Sequence, residues 1–580
     1  MKQTININTY LSGHIPVRQV CYIGILLVFT FIVFYPSINH GFVNWDDNWM
    51  IIDNPLIRSL SLSNLKEIFF GEIFVQNYHP LTIFSFALEY HFFGLNPKVI
   101  HLTNVLLHLL NVLLVFIFIR SLTRQSRDKL IIAFITAALF ALHPLRVESV
   151  TWATERKDVL YAFFFLLSLI QYVKYITLTT NTQPHAQSTH YLLALLFFLL
   201  SCLSKGMAVS LSLVIILSDY LFRRTTNVKA IIDKIPFIAI SLFFGLVVTF
   251  AFYTEWTPIN IEEYNLFERI QFAGYGVLFY LYKLIAPVNL STFYPYPDYA
   301  SGSLPIYYWI FPFAVLSLFC FIVYSTKFTR KLLFGFGFFI ATIVFVLQLI
   351  QTNNAIVTDR YSYISSIGLF YLVGEGCSFL INSINTSFTP FVKYFKVLII
   401  ITILALSYST FNRIKIWRNS LVLWTDVIEK HPDDKTGYFN RGSAYADLRN
   451  FHEAIKDFSK VIEIDPDYSP AYYNRGNVKA VLQYYEEAKR DFGTAIQLDP
   501  DNSEIYLKRG NVCVVLKDYN NAIKDFDTAI ELNPNNPIYY YNRAGSMYYL
   551  NDIEKACDGW HKALELGHSP AAKLIKENCQ

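Results

Sequence analysis

Charged residues and cysteines are both scarce in this chain of 580 residues. Asp, Glu, Lys and Arg together make up 16% of it, and the net charge of +4 indicates no nucleic-acid partner. The seven cysteines are odd in number and include no Cys-x-x-Cys pair, so the sequence predicts neither a disulfide framework nor a zinc site. A phosphate-binding glycine loop, a metal-ligand cluster and a Ser/His/Asp triad are also missing from the sequence.

Apolar residues are abundant instead. Hydrophobic residues make up 54% of the chain and aromatic residues 17%, and the mean hydropathy is +0.34. These values are typical of a polytopic membrane protein. The apolar runs are confined to residues 1–410, and the rest of the chain is polar and periodic. We therefore predict a membrane domain at 1–410, a junction with a partial repeat at 411–434, and a repeat domain at 435–580.

The first apolar run predicts the orientation of the membrane domain. Lys2 and Arg18 precede residues 19–37, which lack a small-residue cleavage site and therefore predict a retained helix with a cytoplasmic N-terminus. Residues 81–93 and 274–285 predict interfacial or re-entrant helices. About eleven spans remain, an odd number that predicts an extracytoplasmic C-terminal region: 19–37, 99–119, 130–142, 159–175, 191–203, 207–222, 235–253, 310–324, 332–349, 362–379 and 397–408.

This topology places several polar stretches on the outer face of the membrane. Asp46 and Asp47 follow the first span, Arg146 to Asp158 follow the third, and Asp359-Arg360-Tyr361 precede the tenth. Such a set can serve a sugar donor linked to a lipid phosphate, because cations hold the phosphate while a carboxylate takes a proton from the acceptor. The alternative is that the acids are solvated and that the charges form stabilising ion pairs at helix ends. The candidate phosphate-binding cations are Arg156, Lys157, Lys205 and Arg360.

The C-terminal region repeats every 34 residues. Small residues, aromatic residues and prolines recur at fixed offsets, the pattern of the tetratricopeptide repeat, in which two packed helices form each unit. Four repeats and a C-terminal cap are predicted. The recurring positions are Gly442, Gly476, Gly510 and Ala544; Ala454, Ala488, Ala522 and Ala556; Phe458, Phe492, Phe526 and Trp560; and Pro466, Pro500 and Pro534.

The order of membrane domain and repeats, together with several short motifs, resembles the transmembrane and tetratricopeptide repeat proteins. Those proteins are lipid-linked mannosyltransferases of the GT-C superfamily, and bacteria carry relatives. The motifs are Asn44-Trp45-Asp46-Asp47, His143-Pro144 with Glu148, Glu155-Arg156-Lys157-Asp158, and Asp359-Arg360-Tyr361-Ser362-Tyr363 with Ser366-Ile367-Gly368.

The resemblance implies an all-α, GT-C-like transmembrane helix bundle followed by a tetratricopeptide solenoid, in a bacterial inner membrane. It implies a catalytic base in the first outer loop, which corresponds to Asp46 or Asp47. It also implies a second acid in the next outer loop, which corresponds to Glu148 or Asp158. The implied donor is a polyprenyl-phosphate-linked sugar.

Acceptor binding is predicted in two places. His79 lies in the first outer loop, and Asn440, Asn474 and Asn542 recur at one position of the first helix of three repeats, with Lys508 in the remaining one. Stacked amides could hold a peptide backbone through their donors and acceptors. The alternative is that these asparagines are ordinary repeat residues without a ligand.

We therefore expect an inverting glycosyltransferase that moves a sugar, mannose in the first instance, to Ser or Thr of a protein on the outer side. Paired carboxylates could hold a divalent metal, although nothing in the sequence requires one. Two other classes remain. A transporter of lipid-linked sugars would carry charges in mid-span and repeated halves, which are not evident. A non-catalytic scaffold would leave the outer-loop charges without a role.

Overall fold

The computed structural model describes residues 17–71, 78–178, 184–224, 227–255, 264–297, 304–349, 355–383 and 389–579. Lys2, which helped to orient the first span, lies outside them. The chain divides into two compact units, Met1–Asn419 and Ser420–Gln580. The predicted all-α fold is confirmed. One short antiparallel pair of strands, β1 (Tyr294–Pro295) and β2 (Ala355–Val357), lies within the first unit.

The first unit is a bundle of apolar helices. Its longest helices are uncharged over most of their length. Their backbone N–H and C=O groups are paired in helical hydrogen bonds, as a bilayer requires. The helices are α1 (Val17–Phe34), α2 (Leu62–Phe70), α3 (Pro80–Phe93), α4 (Pro97–Leu122), α5 (Lys129–Leu142), α6 (Val147–Thr151), α7 (Arg156–Thr177), α8 (Pro184–Ser204), α9 (Leu211–Leu221), α10 (Val228–Ile232), α11 (Ile235–Glu255), α12 (Leu266–Ile285), α13 (Ile310–Ser325), α14 (Arg330–Ile343), α15 (Ser362–Ser383) and α16 (Thr389–Ile414).

The prediction of about eleven spans is wrong for the described residues. Eight helices there are long and apolar enough to cross a membrane, or nine if the pair Lys129–Leu142 and Pro144–Thr151, bent by 60°, counts as one span. The apolar runs at 207–222 and 332–349 were counted as spans, but their helices α9 and α14 have only 11 and 14 residues. Apolar run length overestimates helix length because short 3-10 turns interrupt both runs.

The second unit is a solenoid of helical hairpins. The tetratricopeptide prediction is confirmed: successive helices pair within each repeat and stack against the next. The helices are α17 (Ser420–Lys430), α18 (Lys435–Asp447), α19 (Phe451–Ile464), α20 (Ser469–Val481), α21 (Tyr485–Leu498), α22 (Ser503–Val515), α23 (Tyr519–Leu532), α24 (Pro537–Tyr549), α25 (Ile553–Glu565) and α26 (Ala571–Asn578).

The recurring glycines of the solenoid are needed for close packing of helix on helix. A Cβ built on Gly476 would lie 2.9 Å from the ring of Phe492, and one on Gly510 would lie 2.7 Å from the ring of Phe526. A side chain at Gly476 or Gly510 would therefore have to displace the ring that packs against it.

A disulfide joins Cys557 of α25 to Cys579, just after α26. The sequence analysis predicted no disulfide framework, and this single bridge corrects it. The two cysteines are separated by 22 residues, and only the packing of α26 against α25 brings their Cα atoms to 5.6 Å. Cysteine spacing alone therefore could not reveal the pair.

Candidate active site

Asp46 and Asp47 differ sharply in their surroundings although they are adjacent. Asp47 is 1% exposed, and its carboxylate accepts hydrogen bonds from Val43 N at 2.9 Å, from Thr154 N at 3.0 Å and from the hydroxyl of Thr154. Burial raises the pKa of Asp47 to about 6 even though these hydrogen bonds lower it. Asp47 therefore fastens the loop between α1 and α2 to the loop before α7.

Asp46 pairs with a cation and keeps access to solvent. Its side chain is 22% exposed, and its Oδ2 lies 3.4 Å from the Nζ of Lys157. The alternative interpretation, in which the acids are simply solvated, is therefore wrong for Asp47. Of the two, Asp46 is the carboxylate that a substrate can reach.

Glu155 lies at the centre of the polar cluster, although the sequence analysis did not name it as a candidate site residue. Its carboxylate lies 3.2 Å from Lys157, 3.5 Å from Lys205 and 3.4 Å from Arg360. Burial by itself would raise the pKa of Glu155, but the three cations outweigh it and hold that pKa below its ordinary value. Glu155 therefore stays ionised. The signal available in the sequence was its place in the Glu155-Arg156-Lys157-Asp158 run.

Two further buried acids hold the same cations. Glu148 accepts from the Nη1 of Arg360 at 2.5 Å and from its backbone N at 3.1 Å. Asp158 lies 2.5 Å from the Nζ of Lys205 and accepts from Ser149. Helices α7 and α8 run antiparallel, so the end of α8 lies beside the start of α7. Lys205, which follows α8, therefore reaches Asp158 in the first turn of α7.

Arg156 is placed away from this cluster. Its guanidinium lies 3.1 Å from Glu89, donates to Asn104 at 2.5 Å and to the carbonyl of Ile100 at 2.9 Å. These partners belong to α3 and α4, so Arg156 ties the start of α7 to them. The structure thus brings Lys157, Lys205 and Arg360 together and leaves out Arg156, because successive residues of a helix point in different directions.

His79 lies beside the cluster and is buried. Burial lowers its pKa well below the ordinary value, and the charges of Lys157 and Lys205 lower it further. The ring is therefore neutral at physiological pH. Its Nδ1 has no hydrogen-bond partner among the described residues.

A column of tryptophans borders the cluster. Trp45 stacks on Trp152 with ring centroids 4.8 Å apart, and Trp152 stacks on Trp417 at 5.2 Å. The guanidinium of Arg360 lies 5.5 Å from the centre of the Trp152 ring. Trp45, the residue before Asp46, therefore packs inside the site.

The two adjacent acids share no partner, because Asp46 contacts Lys157 while Asp47 contacts Val43 and Thr154. Within the described ranges, no three His, Cys, Asp or Glu side chains are placed to hold a metal ion.

The asparagines predicted to bind the acceptor do not form a continuous ladder. Asn440 donates to Thr436 of its own helix at 2.9 Å, whereas Asn542 donates to Asn511 of the preceding repeat at 2.9 Å. Asn474 makes neither type of contact among the described residues. Asn542 thus joins a second amide, and its partner Asn511 was not among the predicted residues.

The tetratricopeptide repeat family matches the solenoid at residues 436–468, 469–502 and 503–536. Among solved structures, the crystal structure of MamA is 21% identical and covers 26% of this chain and 90% of its own, with a TM-score of 0.25.

Longer matches come from curated relatives. A protein O-mannosyl-transferase of Caenorhabditis elegans is 24% identical over 446 residues, which are 75% of this chain and 61% of the relative. Protein O-mannosyl-transferase TMTC1 of Homo sapiens is 24% identical over 473 residues, 72% of this chain and 52% of its own. The chain thus spans between half and two thirds of the length of these relatives. As its motifs predicted, the chain is a relative of the transmembrane and tetratricopeptide repeat proteins.

Proposed function

We propose that this chain is a membrane glycosyltransferase that moves a sugar, mannose in the first instance, from a polyprenyl-phosphate donor to a Ser or Thr hydroxyl of an acceptor protein. The relatives named protein O-mannosyl-transferases support transfer of a sugar. One observation carries the proposal. Asp46, the most accessible of the site acids, pairs with Lys157, and the carboxylate of Glu155 lies between Lys157 and two further cations, Lys205 and Arg360.

The proposed reaction is one displacement at the anomeric carbon. The acceptor hydroxyl oxygen forms a bond to that carbon, while the bond from the carbon to the phosphate oxygen breaks and the phosphate leaves with the electron pair. Asp46 takes the hydroxyl proton. Attack opposite to the leaving group inverts the anomeric centre. No step uses a metal.

Lys157, Lys205 and Arg360 would balance the charge of the departing phosphate. Each keeps some exposed side-chain surface, and all three face Glu155. Glu148 and Asp158 act as positioning residues, since they hold Arg360 and Lys205 and are themselves buried. Trp45, stacked on Trp152 next to Asp46, offers a ring against which the apolar face of a sugar can pack.

We place this site on the extracytoplasmic side of the membrane. The cluster lies at the start of α7, while Tyr172 and Tyr175 near its other end contact Asp219 and Arg224. That other end adjoins a loop rich in Arg and Lys, which favours the cytoplasm. This argument does not depend on the number of spans.

Replacing Asp46 by Asn tests the proposal. The change keeps the size of the side chain and removes the base, so the transfer rate kcat should fall by about two to four orders of magnitude. The assay is sugar transfer in membranes from a lipid-linked mannose donor to a protein acceptor.

The matched control is Asp53→Asn, because Asp53 is an exposed acid of the same loop. Its rate should stay at the wild-type value. A wild-type rate for Asp46→Asn, in a variant that inserts normally, would rule out Asp46 as the base and favour a non-catalytic scaffold.

A further inference from the structure

A cavity of about 520 Å³ lies in the solenoid between α22, α24 and the cap helix α26. This volume is in the usual range for a ligand site. A glycine, Gly545, forms part of the cavity wall. The preceding repeats carry Ser443, Asn477 and Asn511 at the position where the last repeat has Gly545. A Cβ built on Gly545 would meet no atom within 4 Å.

The lining of the cavity is aromatic and acidic. Tyr548, Tyr549 and Trp560 contribute rings, Glu577 contributes a carboxylate, and no Lys or Arg belongs to the lining. Lys573 lies 3.9 Å from Glu577, and because both side chains are largely exposed this pair contributes little. Ring faces and an acid attract a cation.

The cavity also offers hydrogen bonds suited to a peptide backbone. Asn542 donates to Asn511, which leaves the Nδ2 of Asn511 and the Oδ1 of Asn542 without a partner among the described residues. The wall therefore presents the donor of Asn511 beside the acceptor of Asn542, as an extended chain with alternating C=O and N–H groups requires.

We propose that this cavity binds a Lys or Arg side chain of an extended protein segment, with Glu577 and the rings around the cation and the Asn511–Asn542 pair on the backbone. This second proposal rests on the proposed function only where the bound segment is taken to be the sugar acceptor. Binding itself requires no transfer of sugar. The cavity would then select acceptors by a basic residue.

The wall that carries Glu577 is held in place covalently. Glu577 lies on α26, and the disulfide from Cys557 to Cys579 fixes the end of that helix to α25. A wall fixed in advance loses less conformational freedom on binding, which favours affinity.

Binding can be measured by fluorescence anisotropy on the full-length chain in detergent. The probe is a short labelled Gly/Ser peptide with one central Lys, and the comparison peptide has norleucine in place of Lys. Norleucine keeps the side-chain carbons and removes the charge. The Lys peptide should bind about tenfold more tightly, since cation–π contacts and a carboxylate act together.

Two variants locate the effect. Glu577→Gln should reduce the preference for Lys over norleucine several-fold. Gly545→Leu should abolish binding of both peptides by filling the cavity, and circular dichroism checks that its helices remain. The control Glu531→Gln removes the same charge from an exposed position outside the cavity and should bind like the wild type.

Three results would overturn the proposal. Equal binding of the two peptides, or none, would exclude selection of a basic side chain. An equal loss of the preference for Lys in Glu531→Gln would show that the preference depends only on the net charge of the protein. Displacement of the probe by methyl mannoside would make the cavity a sugar site. The binding assay contains no sugar donor, so none of these results bears on the Asp46 experiment. Each proposal can therefore fail without the other.

Discussion

The buried carboxyl of Asp47 makes the stability of the protein depend on pH. Its pKa of about 6 in the folded state lies above the ordinary value of about 3.9 for an unfolded chain. The folded state therefore binds the proton more tightly. The stability that this group contributes is complete below about pH 4 and is lost as the pH rises through about 6.

The variant Asp47→Asn lacks this titration. The advantage of the wild type over the variant should shrink by roughly 2 kcal/mol between pH 4 and pH 7. Chemical unfolding in detergent, followed by tryptophan fluorescence at each pH, measures the difference. Asp53→Asn serves as control and should differ from the wild type by the same small amount at every pH. A pH-independent difference for Asp47→Asn would contradict the assigned burial.

At the scale of the element, each of the first three repeats is fastened by an Arg–Asp pair. Arg441 pairs with Asp457, Arg475 with Asp491 and Arg509 with Asp525, each through two hydrogen bonds. The aspartates are buried. In the last repeat the corresponding position is Gly559, and Arg543 pairs instead with the half-buried Asp527 of the preceding repeat.

Removing one buried aspartate should loosen its repeat. Asp491→Ala leaves Arg475 without its two-point partner, so local unfolding of α20 and α21 should become about 2–3 kcal/mol easier. Asp527→Ala removes a half-buried partner that keeps contact with water, and it should cost less than about 1 kcal/mol. Hydrogen–deuterium exchange of the full-length chain reports both. Similar protection losses in the two variants would contradict a role for burial.

At the scale of the whole molecule, we expect the solenoid to lie outside the cytoplasm. Its disulfide persists only in an oxidising compartment, which supports this side independently of the count of spans. Alkaline phosphatase fused after Gln580 should therefore be active, and green fluorescent protein fused there should be dark.

The same two reporters inserted after Arg223, in the loop rich in Arg and Lys, should give the reverse result and thus control for expression. Fluorescence of the fusion after Gln580 would place the solenoid in the cytoplasm. That result would contradict the presentation of acceptors by the repeats to an extracytoplasmic site.

The sequence alone determined the class of each half. Long apolar runs cross a bilayer because they contain few charges to desolvate, and a period of 34 residues with glycines opposite aromatic rings admits one type of helical hairpin. Most of the charged residues that meet in the site were also predictable, since polar residues at the ends of spans on one face have few other places to lie.

Tertiary structure decided what each of these residues contacts. Only packing could separate buried Asp47 from accessible Asp46, turn Arg156 away towards Glu89, and place Glu155 between three cations. Only packing could bring Cys557 to Cys579. The physical reason is the same in each case: burial and ion pairing depend on distances between elements remote in the chain, and residue order fixes the local conformation of each element but not these distances.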